Sequence, residues 1–244
     1  MTGISILDVY EAEYVFTEDV EFLLSENLRG PVLEVGCGTG RILKGLSKAI
    51  PTNQLYGIDI SEESIEIAKN KLDPNIIIEN QSAELFLFER IRFGSIIFFF
   101  NGFMLLDRVK QKQFLENSLK HLSDNGRLLL SLSNPSLDRM SEKFPAYKYQ
   151  KTIQIENIVI DKFECNKYDF NEQSIDRIFY YDYVNADGCV KRLISRFKVY
   201  YYHFYELELL LRSVGFNDVK LYGGYDKSKF DAKISDVILV DAAL

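Results

Sequence analysis

Three glycines at alternate positions, Gly36, Gly38 and Gly40, lie between an apolar segment and a segment with helical spacing. Residues without a Cβ adopt positive φ readily, and they let the free amides at a helix start approach a ligand. Asp59 follows nineteen residues after Gly40, at the end of a second apolar segment. A carboxylate at that position can accept hydrogen bonds from both hydroxyls of a ribose. Together these residues predict a site for a nucleotide-like ligand.

The elements that must hold these residues alternate between strand and helix along the first half of the chain. Apolar runs predict strands at 32–35, 54–60, 76–78, 93–99 and 127–131. Helical spacing and capping residues predict helices at 19–28, 41–50, 61–73 and 111–122. This alternation favours βαβ crossovers and a parallel sheet, which binds ligands at the carboxyl ends of its strands.

The alternation stops after residue 135 and resumes near residue 204. Between these positions, β-rich runs at 152–160, 175–184 and 192–202 predict an antiparallel insert. A helix at 204–214 and strands at 219–222 and 236–240 then return to the first pattern. We therefore expect a core formed by residues 1–139 and 200–244, with an N-terminal lid segment, and an antiparallel β cap at 140–199.

The glycine loop departs from the dinucleotide fingerprint GxGxxG, because its sixth position is Arg41, whose side chain would obstruct helix and strand packing. The spacing GxGxG, with Glu34 before it and Asp59 after it, resembles the first motifs of class I S-adenosylmethionine-dependent methyltransferases. The resemblance extends to QSAELF, FGSIIFFFNGFMLL, LKHLSDNGRLLLSLSNP and FYELELLLRSVGFNDVKLYGGYD, and it leaves out only residues 140 to 195 or so. It implies an α/β, Rossmann-like three-layer sandwich with a seven-stranded, mainly parallel sheet.

The resemblance also implies a cofactor, S-adenosyl-L-methionine, and a role for each matching residue. Glu34 would lie near the amino group of the cofactor, and Asp59 would hold its ribose. The methionine and ribose parts would be bordered by Gly36, Cys37, Gly38 and Gly40. The adenine would be bordered by Ile60, Ala83 and Glu84. The methionine end would meet the backbone around Phe99 and Phe100. No metal site is expected.

Methyl transfer is an in-line displacement, so the protein mainly has to align the nucleophile and exclude water. The candidates for a catalytic role are Tyr14, in the segment before the first predicted helix, and His203, for which capping or packing is the alternative. Leu105 stands where sugar N-methyltransferases that resemble this chain place a histidine. The expected substrate pocket contains Tyr10, Asn101, Phe103 and Tyr181.

Composition limits the class of partner. The net charge of −7 over 244 residues disfavours nucleic acid, because it removes the electrostatic attraction to phosphates. No run of about 20 apolar residues is present, and the N-terminus lacks the basic start of a secretory signal. The three cysteines form no CxxC pair, which fits a reducing cytoplasm.

The expected function is methylation of an N or O nucleophile of a small molecule, without nucleic acid or membrane partners. Two alternatives stay open: a non-catalytic module that binds S-adenosylmethionine, and an RNA or protein methyltransferase. The second would use a local basic stripe at Lys191, Arg192, Arg196 and Lys198. A homodimer is also left open, and the sequence does not identify the acceptor.

Overall fold

The computed structural model describes residues 4–135, 140 and 146–244. The chain divides into two compact units. The α/β unit comprises Thr17–Pro135 and Tyr202–Leu244, and the antiparallel unit comprises Met1–Phe16 and Ser136–Tyr201. The N-terminal segment therefore groups with the antiparallel sheet, whereas the sequence places it as a lid of the core.

The strands are β1 (Val32–Val35), β2 (Leu55–Asp59), β3 (Ile77–Asn80), β4 (Phe93–Phe98), β5 (Leu122–Ser133), β6 (Lys148–Ile155), β7 (Ile158–Asp169), β8 (Ser174–Val184), β9 (Val190–Tyr200), β10 (Asp218–Tyr222) and β11 (Val237–Ala243). The helices are α1 (Ile6–Glu13), α2 (Glu18–Ser25), α3 (Arg41–Leu46), α4 (Glu62–Lys71), α5 (Arg108–His121) and α6 (Phe204–Val214), and short 3₁₀ turns lie at Thr52–Gln54 and Gly102–Leu105.

The sheet of the α/β unit has the strand order β10-β11-β5-β4-β1-β2-β3. Strands β1 to β5 pair in parallel, and β11 runs antiparallel to both of its neighbours. The predicted seven-stranded, mainly parallel sheet is therefore confirmed. From β1 the chain builds β2 and β3 on one side and then crosses to β4 on the other. Ligands bind at such a switch point, beyond the carboxyl ends of the strands.

Helices α2, α3 and α4 are held against this sheet by apolar side chains. All four residues of β1 are buried. The side chains that pack around it include Leu23 of α2, Leu43 and Leu46 of α3, and Ala68 of α4, each fully enclosed. Full burial of a leucine contributes about 1.5 to 3 kcal/mol to stability. The packed core therefore fixes the positions at which the loops beyond the strand ends begin.

Four strands, not the three predicted runs, form the sheet of the antiparallel unit, in the order β6-β7-β8-β9. The run 152–160 divides because Glu156 has a φ of 49° and turns the chain between the paired residues Ile155 and Ile158. Left-handed backbone of this kind closes two-residue hairpin loops.

Helix α1 packs on this sheet and was not predicted from the sequence. Ser5 accepts a hydrogen bond from the Asp8 N–H at 3.1 Å, and the Asp8 carboxylate accepts one from the Ser5 N–H at 2.8 Å. This reciprocal capping box is the signal that was overlooked. Val9 is enclosed against Ile153, Ile160 and Tyr181 of the sheet.

Two element boundaries were also wrong in the α/β unit. Helix α5 begins at Arg108, because the Asp107 carboxylate caps it by accepting from the Lys110 N–H at 2.9 Å. Strand β5 begins at Leu122 and runs through the predicted turn at Gly126. Within the described ranges, no helix has the length and apolar character needed to cross a membrane.

Candidate functional site

The turn between β1 and α3 is held by backbone hydrogen bonds and is open on one side. The Cys37 N–H donates to the Ile58 carbonyl at 2.9 Å, which attaches the turn to β2. Gly38 has a φ of 52°, and a Cβ built there would meet no atom within 4 Å. The Gly38 backbone therefore borders open space. A ligand can approach the backbone closely at such a position.

Asp59 connects this turn to the end of β2. One carboxylate oxygen accepts from the Gly38 N–H at 2.8 Å, and the other accepts from the Ser61 N–H at 2.8 Å. Each carboxylate oxygen can accept a second hydrogen bond, so both can still receive a ligand hydroxyl. The next residue, Ile60, exposes 73% of its surface, which leaves an apolar side chain beside the acid.

Residues 83 and 84 follow β3, on the same side of β1 as Asp59. Glu84 is buried, and its carboxylate lies 2.8 Å from the Lys110 ammonium. This hydrogen bond raises the pKa of Lys110 above its usual value. The Glu84 side chain is thus already engaged with a cation, so a ligand at this position would meet the backbone of Ala83 and Glu84.

A buried group of charges underlies the turn. Arg41 contacts Asp19 of α2 through two nitrogen–oxygen pairs, at 2.9 and 2.5 Å, and Asp19 is fully enclosed. Glu34 is also buried and accepts a hydrogen bond from the Leu43 N–H at 3.1 Å. Burial raises the pKa of Glu34 well above its usual value, although Arg41 and the Leu43 N–H act in the opposite direction.

Replacing Glu34 with glutamine should stabilise the protein at neutral and alkaline pH. A carboxyl with a folded pKa above its unfolded pKa contributes most stability in acid, and that contribution is lost as pH rises through the folded pKa. Each pKa unit between the folded and the unfolded state corresponds to about 1.4 kcal/mol in the free energy of unfolding. Urea unfolding at several pH values should show Glu34→Gln gaining stability over wild type as pH rises. A constant difference between the two proteins would contradict this expectation.

Strand β4 ends in a strained turn. Phe100 and Asn101 have φ values of 57° and 63°, which is unusual for residues that carry a Cβ. The Asn101 N–H donates to the Ser131 carbonyl at 3.1 Å, and the Asn101 side-chain oxygen accepts from the Ser133 N–H at 2.5 Å. Strained backbone of this kind persists where surrounding structure enforces it, often at functional sites.

An aromatic group that the sequence reasoning missed lies beside this turn. The Tyr225 hydroxyl shares a hydrogen bond with the Ser131 hydroxyl at 2.8 Å. The Tyr225 ring lies 6.1 Å from that of Phe99 and 5.8 Å from that of Phe22. No spacing rule connects these residues, because they come from a C-terminal loop, a strand end and a helix.

Two further predicted residues lie in the α/β unit. Phe103, expected in the substrate pocket, is completely buried between the rings of Phe114 and Tyr202, at 5.8 and 6.2 Å. Its side chain is therefore part of the packed interior in this structure. His203 is the N-cap of α6, and its N–H donates to the Glu206 carboxylate at 3.0 Å. This places His203 at the capping position that was the alternative to catalysis.

Tyr14 and Tyr181 belong to the antiparallel unit, where they surround a buried ion pair. The Lys162 ammonium lies 2.7 Å from the Glu13 carboxylate and 3.3 Å from the Tyr14 hydroxyl. Burial, followed by the charge of Glu13, raises the pKa of both tyrosines, so Tyr14 stays a neutral phenol at neutral pH. Tyr10 lies on α1, with its ring 4.7 Å from that of Tyr14.

The thiol of Cys37 is buried, and burial raises its pKa. A protonated thiol in this position is a weak nucleophile, so Cys37 is a packing residue of the loop. Across residues 4–135 and 146–244, no group of three or more His, Cys, Asp or Glu side chains could hold a metal ion.

Residues 32–126 match the model of the family described as "Methyltransferase domain". An uncharacterized protein from Methanocaldococcus jannaschii is 32% identical over 127 residues, which are 52% of this chain and 46% of that protein. The malonyl-[acyl-carrier protein] O-methyltransferase of Bacillus cereus is 28% identical over 143 residues, 57% of this chain and 51% of the enzyme. The chain thus spans about half the length of the curated relatives it matches.

Among solved structures, the chain is similar to an S-adenosylmethionine-bound amino pentose methyltransferase from Micromonospora echinaspora. The TM-score is 0.77 at 13% identity, and the alignment covers 100% of this chain and 99% of the other. At this identity the likeness concerns the fold, and it confirms the predicted Rossmann-like sandwich with a separate antiparallel sheet.

Proposed function

We propose that the chain transfers the methyl group of S-adenosylmethionine to a small molecule, because residues 32–126 match the model of the methyltransferase domain family. The observation that carries the proposal is the contact between Asp59 and the Gly38 N–H. It brings an acid with free acceptor capacity to the open side of a glycine turn. A carboxylate beside exposed backbone can accept hydrogen bonds from the hydroxyls of a ribose that lies against that backbone.

We propose that residues at the strand ends hold the whole cofactor. The ribose would be held by Asp59, and the adenine would lie against exposed Ile60 and the backbone of Ala83 and Glu84. The methionine part would lie by Gly36, Cys37, Gly38 and Gly40, with Glu34 beneath them and Phe99 and Phe100 alongside. The open space beside Gly38 supports this placement, since a Cβ there would fill it.

When bound, S-adenosylmethionine supplies a methyl carbon activated by its sulfonium. The protein's own contribution would be to hold that end in one orientation and keep water away. A neutral amine or a carboxylate can attack without losing a proton first, whereas a hydroxyl needs a proton acceptor. Tyr14 is poorly suited to accept one, because burial and the charge of Glu13 raise its pKa.

We propose that Asn101 takes part in acceptor recognition, whereas Phe103, which is packed in the interior, and His203, which caps α6, are no longer assigned to it. In the antiparallel unit, the assignment of Tyr10, Tyr14 and Tyr181 to the acceptor stays a prediction. The acceptor is proposed to be an N or O nucleophile of a small molecule. Similarity to an amino pentose methyltransferase supports an amine-bearing acceptor, and similarity to a malonyl-[acyl-carrier protein] O-methyltransferase supports an oxygen nucleophile. We further propose a cytoplasmic location, in line with three free cysteines.

The basic stripe on β9 does not strengthen the alternative of an RNA substrate. Arg192 pairs with Asp182 at 2.6 Å, and Lys198 lies 3.2 Å from Glu172 and 3.9 Å from Asp176. Cations that are already paired with carboxylates release fewer counterions from a phosphate backbone. The acidic chain and the ion pairs of Arg192 and Lys198 therefore favour a small acceptor.

Two measurements, made one after the other, test the proposed function. Calorimetric titration with S-adenosylmethionine and S-adenosylhomocysteine, with NAD as competitor, should show saturable binding that NAD does not displace. Amino sugars, other amines and small carboxylates should then be screened for release of S-adenosylhomocysteine. Binding without release from any acceptor would favour a non-catalytic module, and no binding of either ligand would refute the proposed function.

A further inference from the structure

The strand order separates two halves of the proposed cofactor site. Asp59 ends β2, and Ala83 and Glu84, which are proposed to contact the adenine, follow β3. Strands β2 and β3 lie on the same side of β1. On the other side of β1 lie the ends of β4 and β5, which carry Phe100, Asn101 and Ser131. If the proposed function is right, the methionine half of the cofactor must lie over these two strands.

A chain of hydrogen bonds connects the end of β4 to the C-terminal loop. Ser131 accepts the Asn101 N–H with its carbonyl and shares a hydrogen bond with the Tyr225 hydroxyl through its side chain. The turn that these bonds hold contains two residues at positive φ, Phe100 and Asn101. Because side chains with a Cβ disfavour that backbone, the turn depends on the bonds around it.

Tyr225 is suited to fix this chain of bonds. Its ring is half-buried against Phe22 and Phe99, so its hydroxyl has little freedom to leave Ser131. Burial, with the charge of Asp19 adding to it, raises the pKa of Tyr225 to about 12. The hydroxyl therefore keeps its proton at neutral pH and remains able to donate.

We propose that Tyr225 is a positioning residue for the methionine half of S-adenosylmethionine, acting through Ser131 on the turn Phe100–Asn101. The proposal rests on the proposed function. It gives the C-terminal loop a part in cofactor binding, although the loop lies more than 180 residues after the glycine turn.

The test uses adenosine as a probe of the nucleoside half and S-adenosylmethionine as a probe of the whole site. Tyr225→Phe and Ser131→Ala should each weaken S-adenosylmethionine binding about 5- to 10-fold, the worth of one hydrogen bond. Binding of adenosine should stay within about 2-fold of wild type. The double variant should lose about as much as either single variant, because both remove the same bond.

Tyr222→Phe is the matched control, since it removes a phenol hydroxyl from the end of β10 in the same unit and should bind both probes as wild type does. Thermal melting of every variant verifies folding. Unchanged S-adenosylmethionine affinity in Tyr225→Phe, or an equal loss for adenosine, would overturn the inference while leaving the proposed function intact. Failure of wild type to bind S-adenosylmethionine would overturn both.

Discussion

Replacing Asp59 with alanine should weaken S-adenosylmethionine binding by about 100-fold or more. Two hydrogen bonds from ribose hydroxyls to a charged group contribute about 1.5 to 3 kcal/mol each, and about 1.4 kcal/mol corresponds to a factor of ten. The variant also loses the contacts with the Gly38 and Ser61 N–H groups, which hold the turn beside the ligand. Isothermal titration calorimetry of folded variant and wild type measures the effect.

Asp124→Ala provides the control for this experiment. Asp124 is exposed on β5, near the end of the sheet opposite the glycine turn, so its removal changes net charge without touching the site. It should bind S-adenosylmethionine as wild type does. An Asp59→Ala protein with wild-type affinity would show that the acid does not hold the ribose, and the proposed site would have to be abandoned.

Replacing Arg41 with methionine should destabilise the α/β unit by about 3 to 5 kcal/mol, because it leaves a buried carboxylate without its cation. Asp19 is fully enclosed, and Glu34, which Arg41 also influences, is buried beside it. Methionine retains most of the apolar stem of arginine, so lost packing contributes little. Urea unfolding monitored by circular dichroism should show the lower midpoint.

The double variant Asp19→Leu with Arg41→Met separates charge from packing. If the unpaired carboxylate is the cause, removing it together with its partner should recover most of the lost stability. Arg92→Met is the control, since Arg92 is exposed and donates a hydrogen bond to the neighbouring Ile91 carbonyl. It should unfold within about 0.5 kcal/mol of wild type. Equal losses in Arg41→Met and Arg92→Met would contradict the role of the buried pair.

Local signals predicted the α/β unit well. Helix α6 has the predicted bounds 204–214, and Ser61 caps α4 by accepting the Ser64 N–H at 3.2 Å. Both features depend on residues within one turn of each other. The strands of the antiparallel unit were harder to predict, because one apolar run contains two strands and the turn at Glu156 has no glycine to mark it.

The residues of the candidate site likewise divide into those that local signals predict and those that they do not. The glycine turn and Asp59 could be found because each lies at the end of an apolar strand, and neighbouring parallel strands must bring their carboxyl ends together. The site assignments themselves stay predictions until a ligand is bound. The burial of Phe103 could not be foreseen, since an aromatic residue in a loop suits a pocket and a core equally well.

From the sequence by itself came the alternation of elements and the glycine turn between β1 and α3, together with the prediction that a ligand lies at the strand ends. These depend on backbone geometry and periodicity, which act over a few residues. Only the tertiary structure decided the pairs Asp19–Arg41, Ser131–Tyr225 and Glu13–Lys162, whose members are 22, 94 and 149 residues apart. No local pattern encodes such pairs, because burial selects their partners only after the elements have packed.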